Sequence, residues 1–535
     1  MPADSAPTSR DRLALYVLQV GAVAVVLAAA RYKAFDLDRY FVSKELVLHT
    51  CALAAAALCA SVWRRITVTA VDVLLAAFLA ASLVSAVFAT NHWAAERAVA
   101  ISISGALLFW SASALRRVGL VRPLLVALAV GVVVGAGTSL AQAYGIRTEY
   151  FSLNRAPGGT LGNRNFIAHL AAIGAPLVAL VALTARRGIG SLLGALGMVV
   201  VAAALVLSRS RAAWLAILIL AAPVCLLAYM TRDRWMEPRT VRRIMLLGAA
   251  TVAGGVAAVA VPNSLEWKSD SPYLDSAAGL VNYKEGSGHG RLIQYENSLK
   301  LTKAHPLFGV GPGNWPVAYP SVAGRGDPSM SQSDEGMTSN PWPSSDLVAD
   351  ISERGVIGFG LLILVTLGLL GRVRRELSAT GERDPERTLT AIALVGTLVA
   401  TIVVGAVDAV LLIAVPTFFV WTLAGALSPP ASGGELPPIA RRFAPIVIMV
   451  LGGIAVARSA AQLAAIAVFS TSTKTAAYAQ AALLDPGSYR IRTRLAQAYI
   501  GRGDCGKAKP QSHAAHALFP SAAEPKRQLS QCGTK

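Results

Sequence analysis

Residues 189–207 read IGSLLGALGMVVVAAALVL and contain no charged side chain. An α-helix rises about 1.5 Å per residue, so about 20 apolar residues are needed to cross the hydrocarbon core of a membrane. Arginines bound the stretch on both sides, with Arg186 and Arg187 before it and Arg209 and Arg211 after it. The stretch therefore predicts a transmembrane helix.

Similar runs recur along the whole chain of 535 residues, of which 54% are apolar and 15% charged. Soluble domains carry more charge, about 25% of their residues. The runs predict transmembrane helices at about 13–30, 46–63, 69–90, 98–115, 121–143, 166–185, 189–207, 213–230, 244–261, 356–371, 388–407, 409–427 and 443–469. Only Asp408 separates the two runs within 388–427. We therefore predict an all-α polytopic membrane protein with 12–13 transmembrane helices.

The formal charge of +19 raises the question of a polyanionic partner. Most arginines, however, stand at the ends of apolar runs, as the positive-inside rule requires of cytoplasmic loops. We therefore expect contact with membrane lipid and no nucleic-acid partner. With a cytoplasmic N-terminus, the alternation of loops puts residues 145–165, 208–212 and 262–355 on the periplasmic side of a bacterial inner membrane.

The apolar runs also divide the chain into domains. Transmembrane helices 1–9 are predicted in residues 1–261 and helices 10–13 in residues 356–469. Residues 262–355 between them form a large periplasmic loop rich in Gly, Pro, Ser and Asp. Long loops without regular structure are commonly functional or disordered. Apolar patches at 307–310 and at Trp342 suggest that this loop packs on the bundle.

Residues 470–535 form a polar tail whose pattern of small and aromatic residues resembles a tetratricopeptide helical pair. One or two such repeats cannot bury a core alone, so we expect the tail to dock on a partner or on the membrane domain. Cys505 and Cys532 lie in this tail, and they can form a disulfide if it faces the periplasm. No metal-ligand spacing connects any of the five cysteines.

Three arginines of the outer segments are candidates for anion binding. Arg209 and Arg211 break the orientation rule, because a short outer loop with two arginines is unfavourable unless an anion meets it. Guanidinium binds phosphate or diphosphate bidentately, whereas the alternative is snorkelling at the membrane interface. Arg291 follows the glycine-rich residues 286–290 and opens a predicted helix, whose N-terminus favours anions. The alternative for Arg291 is an ordinary surface position.

Other polar residues of the outer segments accompany these arginines. His289 lies in the same glycine-rich stretch. Asn163 and Asn165 stand where an outer loop enters a span, a position typical of helix caps. Asn314 ends the run HPLFGVGPGN at 305–314, which reads as a helix stop followed by a glycine-rich turn.

Three acids lead into the tenth predicted span. Asp346, Asp350 and Glu353 share one helical face at i, i+4 and i+7. Such a face can hold a base that activates a hydroxyl group. It can equally be solvated negative charge near a helix N-terminus, which the helix dipole favours.

Taken together, these segments resemble the O-antigen ligase and polymerase superfamily. They occur in family order over about residues 150–430. The tail and extra span look more like the protein O-oligosaccharyltransferase and polymerase branches than a minimal ligase. The matching pieces are GTLGNRNF at 159–166, SRAAWL at 210–215, the Arg291 helix, HPLFGVG at 305–311, and Glu353-x-Gly355-x-x-Gly358.

The resemblance implies a glycosyltransferase that uses neither a metal nor a nucleotide cofactor. Family members move a glycan from undecaprenyl diphosphate to an acceptor hydroxyl on the periplasmic face, usually with inversion. Arg211 and Arg291 match the arginines that hold the diphosphate, and Arg209 is grouped with them. The supporting residues are expected to be Asn163, Asn165, Asn314 and Glu353.

One position departs from the family pattern. The family places a His before the Asp-x-Leu that precedes the Glu-x-Gly, and that position is Ser344 here. A serine alone is a poor base near neutral pH. Either His289 or Asp346 takes over, or leaving-group stabilisation matters more than acceptor deprotonation, or the chain is inactive. The catalytic candidates are therefore His289, Ser344 and Asp346.

The predicted function is transfer of a glycan from undecaprenyl diphosphate. Polymerase, ligase and protein O-glycosylation activities all stay open, because acceptor choice lies in the variable outer loop. One alternative is a catalytically silent family member that acts as a scaffold. Another is a transporter or flippase, which should show charged or broken helices at mid-membrane, whereas these spans show almost none. A polysaccharide chain-length regulator is a natural partner for the tail.

Overall fold

A computed structural model of the chain describes residues 6–35, 38–63, 67–153, 155–267, 269–279, 286–378, 383–429, 433–435 and 437–533. A short antiparallel ribbon of β1 (Thr67–Val68) and β2 (Gly434–Glu435) accompanies the helices. The helices are α1 (Ser9–Leu27), α2 (Asp38–Trp63), α3 (Ala70–Val87), α4 (His92–Arg117), α5 (Val121–Ala143), α6 (Arg164–Leu183), α7 (Gly188–Ser208), α8 (Arg211–Met230), α9 (Arg232–Trp235), α10 (Pro238–Ala260), α11 (Pro272–Ala278), α12 (Gly286–Ala304), α13 (Trp315–Ala318), α14 (Asp346–Ser378), α15 (Pro385–Val407), α16 (Ala414–Leu427), α17 (Pro438–Thr471), α18 (Thr475–Leu484), α19 (Tyr489–Ile500), α20 (Cys505–Leu518) and α21 (Ala523–Gln531).

Eleven of the described helices are long and apolar enough to cross a membrane: α2 to α8, α10, α14, α15 and α17. This confirms the predicted class, an all-α polytopic membrane protein. Helix α1 has charged residues in its first turn, and α16 has only 14 residues, so both lie outside this set. Whether α1 and α16 also cross the lipid, as the predicted 12–13 helices require, stays a prediction.

Small residues let several of these helices approach closely. Gly254 of α10 lies against the backbone of Val199 in α7, and Gly425 of α16 lies against the carbonyl of Phe109 in α4. A Cβ atom at either glycine would overlap that backbone. Helix association in lipid depends on such van der Waals contact, because lipid tails are as apolar as the side chains they would replace.

Two helices begin earlier than their apolar runs predict, and the early turns of both contain buried acidic residues. Helix α2 begins at Asp38 rather than at 46, since Glu45 is ion-paired with Arg97 of α4 at 2.8 Å. Helix α14 begins at Asp346 rather than at 356, and it is interrupted at Gly355. These charges and the interruption at Gly355 lie before the predicted spans, which were expected to carry almost no charge or break at mid-membrane.

The large loop is more ordered than its composition predicts, since it contains α11, α12 and α13. Its predicted packing on the bundle is confirmed. The Ser85 hydroxyl of α3 donates to the carbonyl of Phe308 at 2.6 Å, and the rings of Phe88 and Phe308 stack. The ring of Trp342 meets Phe41 of α2 edge-on, with 5.0 Å between centroids.

The bundle has two chemically different ends. At one end, Arg243 of α10 donates to the carbonyls of Leu183 and Ala185, which close α6. At the opposite end, α6, α8 and α14 begin, and described parts of the large loop contact this end, as in the bond from Arg211 of α8 to the Gly279 carbonyl. We call this second end, where α6, α8 and α14 begin, the loop end.

The tail forms four short helices, α18 to α21, and docks on the loop end of the membrane domain. Ile491 and Leu495 pack in one apolar cluster with Phe35, Val42 and Ile466. This confirms the docking expected from the small size of the tail. The Cys505–Cys532 pair is disulfide-bonded. The likeness to a tetratricopeptide pair stays a prediction.

The tail also touches the large loop directly. The Ala523 amide donates to the carbonyl of Glu335 at 2.9 Å, and Arg527 is within 3.3 Å of the Glu335 carboxylate. The tail and the loop therefore lie on the same side of the bundle.

Candidate functional site

Two arginines lie at the turn between α7 and α8, where the chain reverses at the loop end. Arg209 adopts the left-handed backbone conformation that ends α7, with φ at 53°. Its Nε donates to Ser276 Oγ at 2.9 Å, and its guanidinium lies 4.7 Å from the Trp267 ring centroid. Arg211, the first residue of α8, donates to the carbonyl of Gly279 at 3.0 Å. Neutral groups of the large loop thus hold both guanidinium groups.

A third arginine joins them from α6. Arg164 opens that helix, and its charge is close enough to interact with those of Arg209 and Arg211. Burial, followed by the charge of Arg164, lowers the pKa of Arg209. Arg164 was not among the predicted site residues, although it stands between Asn163 and Asn165 in the quoted motif.

Arg291 reaches the same region from the large loop. It lies in the second turn of α12, partly buried, and its charge interacts with His169 of α6. His169 and Arg164 are five residues apart, so a rise of about 1.5 Å per residue separates them by about 7.5 Å along α6. The structure therefore brings Arg211 and Arg291 to the same end of α6.

Arg164, Arg209, Arg211 and Arg291 all lie toward the start of α6, and we call these four residues the arginine cluster. Within the part of the chain that the structure describes, no carboxylate lies within 4.0 Å of any of these guanidinium groups. Net positive charge without a carboxylate in contact is unfavourable next to lipid. The cluster is therefore a site where an anion would be stabilised.

The two predicted catalytic residues of the loop differ in their relation to Arg291. His289 is exposed, and since successive helical residues are about 100° apart, it points about 160° away from Arg291 around α12. Ser344 is tied to the turn that follows Arg291. Its amide donates to Gln294 Oε1 at 2.6 Å, and its carbonyl accepts from the Tyr295 hydroxyl at 2.8 Å. Ser344 thus lies beside the Arg291 helix, whereas His289 faces elsewhere.

Asp346 is buried, and its carboxylate is hydrogen-bonded to backbone amides. Its two oxygens accept from the amides of Val410 at 2.8 Å and Leu411 at 2.9 Å. These bonds join the start of α14 to the turn between α15 and α16. With both oxygens engaged by amides, Asp346 is placed to shape this turn.

The alternative of solvated acids on α14 is wrong. Asp350 and Glu353 are as buried as Asp346, and Asp350 is 2.6 Å from Arg354 one turn later. Glu353 accepts from the amides of Gly313 at 2.7 Å and Trp315 at 3.2 Å.

Asn314 stands at the same junction as Glu353. Its side chain accepts from the amide of Asn91 at 2.7 Å and donates to the Asn91 carbonyl at 3.0 Å. Glu353 and Asn314 therefore hold the large loop against the turn between α3 and α4. Neither contacts the arginine cluster through a described bond.

The two asparagines of α6 have different surroundings. Asn163 caps the helix, since its side chain accepts from the Asn165 amide at 3.0 Å. Asn165 donates to Asp408 Oδ2 at 3.3 Å, and His169 Nε2 lies 3.4 Å from the same oxygen. Asp408 was predicted only to separate two spans, and His169 was not among the predicted site residues. The signal was a lone histidine and a lone carboxylate within apolar runs.

The described residues contain no group of three or more His, Cys, Asp or Glu side chains that could hold a metal ion. His169 and Asp408 are two such groups, and the neighbouring Asp346 is engaged with backbone amides.

Fold and site together define a polytopic helical membrane protein with a cationic site at one end of its bundle. Residues 196–363 match the family model described as O-Antigen ligase. This segment therefore matches an O-antigen ligase domain, which confirms the predicted resemblance to the O-antigen ligase and polymerase superfamily. The family match supports a glycan-transferring enzyme of polysaccharide assembly.

The matched segment covers about a third of the chain, from within α7 to within α14. It includes Arg209, Arg211, Arg291 and the large loop, whereas α6, Asp408 and the tail lie outside it. No curated protein matches the chain.

Proposed function

We propose that this protein transfers a glycan from undecaprenyl diphosphate to an acceptor hydroxyl on the non-cytoplasmic side of the bacterial inner membrane. The observation that carries the proposal is the arginine cluster, which unites guanidinium groups from α6, the α7–α8 turn and α12. A diphosphate supplies the negative charge that this cluster lacks. Its polyprenyl chain would lie in the lipid beside the bundle.

The proposed reaction is a direct displacement. The acceptor oxygen attacks the anomeric carbon, and the bond from that carbon to the diphosphate oxygen breaks with its electron pair leaving on oxygen. A single displacement inverts the anomeric configuration. Guanidinium groups around the leaving oxygen stabilise charge that is larger in the transition state than in the ground state, which lowers the barrier. The arginines themselves supply the charge stabilisation in this proposal.

Two observations support a periplasmic site. The tail touches the large loop through Ala523 and Glu335, and the tail contains the Cys505–Cys532 disulfide. Disulfides persist in oxidising compartments and are rare in the cytosol. The opposite end contains the arginine-rich loops that the positive-inside rule assigns to the cytoplasm. The large loop and the arginine cluster would then face the periplasm.

This orientation makes a prediction about the tail thiols. In a chain whose Cys51, Cys59 and Cys225 are replaced by alanine, only Cys505 and Cys532 remain to react. We expect a membrane-permeant maleimide to leave protein from intact cells unmodified and to add twice after reduction and unfolding, as seen by mass spectrometry. Modification of both cysteines without reduction would place the tail in the cytosol and contradict the orientation.

The function itself is tested by deleting the gene in its native host and profiling surface polysaccharide and lipid-linked glycan. We expect lipid-linked glycan to accumulate on the periplasmic leaflet and to disappear when the wild-type gene is restored. Oxidation of the glycan by periodate, which does not cross the membrane, shows whether the lipid-linked glycan lies on the periplasmic leaflet. Glycan that is trapped on the cytoplasmic leaflet would favour a flippase instead. A polysaccharide, a lipid-linked core or a protein that loses its glycan would identify the acceptor.

Ser344 favours a second candidate, a silent family member that acts as a scaffold. In this case surface glycan would depend on the presence of the chain but not on Arg211 or Arg291. Complementation with arginine variants separates the two candidates, because a scaffold keeps its effect as long as the chain accumulates in the membrane.

A further inference from the structure

A buried histidine and a carboxylate meet beside the arginine cluster, and neither has a role in the steps described above. Asp408 lies between α15 and α16, with its side chain 15% exposed, and His169 behind it in α6 is fully buried. Asp408 Oδ1 accepts from the Ala409 amide at 2.9 Å, while Asn165 and His169 approach Oδ2.

The environment of His169 is unusual for a buried polar side chain. Neither of its ring nitrogens has a partner in hydrogen-bond geometry within the described residues, although Nε2 is 3.4 Å from Asp408. Buried polar groups are nearly always hydrogen-bonded, because an unpaired one is costly. Hydrogen bonds of catalytic groups are commonly long in the free enzyme and tighten in the reacting complex.

Two charged or titratable groups surround the pair of His169 and Asp408 on the neighbouring elements. They are Arg291 on α12, whose charge acts on His169, and Asp346 on α14. The Tyr295 hydroxyl, one turn after Arg291, also donates to the carbonyl of Ala406 at 3.2 Å. The Arg291 helix is therefore anchored two residues from Asp408.

Asp408 fits the work of a proton acceptor better than the residues predicted for it. Asp346 uses both oxygens on backbone amides, and His289 points away from Arg291. Asp408 has unused lone pairs on a partly exposed carboxylate.

We propose that Asp408 accepts the proton of the acceptor hydroxyl and that His169 is the positioning residue behind it. This inference rests on the proposed glycan transfer. As the acceptor oxygen bonds to the anomeric carbon, its proton moves to an Asp408 oxygen, and the diphosphate leaves with the electron pair of the broken bond. Asp408 then returns the proton to water. His169, held rigidly in the bundle, fixes the direction of the carboxylate.

The test compares Asp408→Asn with wild type in the deletion strain and as purified full-length protein. Asparagine keeps an oxygen for the Ala409 amide but cannot accept the proton. We expect transfer to fall about 100-fold or more, which is the usual contribution of a general base. Binding of undecaprenyl diphosphate, followed by native mass spectrometry, should be retained or tightened because a negative charge near the arginines is removed. Asp334→Asn, on an exposed part of the loop, is the matched control.

His169 is tested with a conservative pair. His169→Leu should lower transfer on the order of 10- to 100-fold without weakening diphosphate binding, because a misdirected base slows the reaction. His169→Gln retains a donor and should recover most of that loss. His305→Leu, at an exposed histidine of the large loop, controls for the substitution.

Two results would overturn the inference. The first is full transfer by Asp408→Asn in a strain where the wild-type chain is active. The second is joint loss of binding and transfer in both His169 variants, which is the pattern of a merely structural residue. If the wild-type chain itself transfers no glycan, the proposed function fails rather than this inference.

Discussion

Replacing Arg291 with alanine is expected to lower glycan transfer about 100-fold or more, since one preorganised donor at a developing negative charge contributes on the order of 2.7–4 kcal/mol. Lipid-linked glycan should accumulate in the deletion strain complemented with this variant, and undecaprenyl diphosphate should bind the purified protein more weakly. Arg291→Lys should recover only part of the activity, because a lysine cannot bind bidentately.

The matched control for this substitution is Arg325→Ala, an exposed arginine of the same loop. It should leave transfer unchanged. Arg291 is partly buried on α12 and makes no ion pair among the described residues, so its loss should leave the protein level on a blot unaltered. Wild-type transfer by Arg291→Ala at a normal protein level would contradict the role given to the arginine cluster.

Replacing Gly355 with alanine is expected to detach the large loop from α14. Gly355 has φ at 65° and ψ at −172°, a conformation that is almost exclusive to glycine. A Cβ atom there would overlap the carbonyl of Leu307. The surrounding backbone depends on this path, since the Val356 amide donates to Pro306 at 2.8 Å and Gly311 to Glu353 at 2.9 Å. We expect destabilisation of about 3 kcal/mol, and transfer should fall with it.

Thermal unfolding of the purified protein in detergent measures this effect. Gly360→Ala, one turn further along α14, is the matched control, because a Cβ atom at Gly360 meets open space. Equal unfolding temperatures for the two variants would show that the interruption at Gly355 does not hold the loop.

The membrane fold could be predicted from the sequence because hydropathy follows from composition and needs no knowledge of contacts. The prediction was wrong at the starts of α2 and α14, where charged residues extend helices into the bundle. Glu45 pairs with Arg97, and Asp350 pairs with Arg354. The partner of Glu45 comes from a different helix, so hydropathy alone cannot show that the charge is neutralised.

The site was predictable only where its residues were unusual for their place in the chain. Arg209 and Arg211 violated the orientation rule, and Arg291 followed a glycine-rich stretch. Asp408 and His169 are single polar residues in apolar surroundings. They come from segments more than 200 residues apart in the chain, and Asn165, which also contacts Asp408, is separated from it by 243 residues. The local spacing of residues in the sequence cannot predict such a contact.

The burial of the acidic residues of α14 could likewise not be predicted from local spacing. They were predicted to share one helical face, but spacing could not tell exposure from burial. The bonds from Asp346 to the turn at 410–411 and from Glu353 to the 313–315 segment decide that question. Both sets of partners are backbone amides, which any residue type provides.

A cryo-electron microscopy map of the full chain with undecaprenyl diphosphate tests the central claim most directly. We expect diphosphate density at the start of α6, within hydrogen-bond distance of Arg211 and Arg291, with the polyprenyl chain running along the bundle. Density at the opposite end of the bundle, or a headgroup that contacts neither arginine, would contradict it.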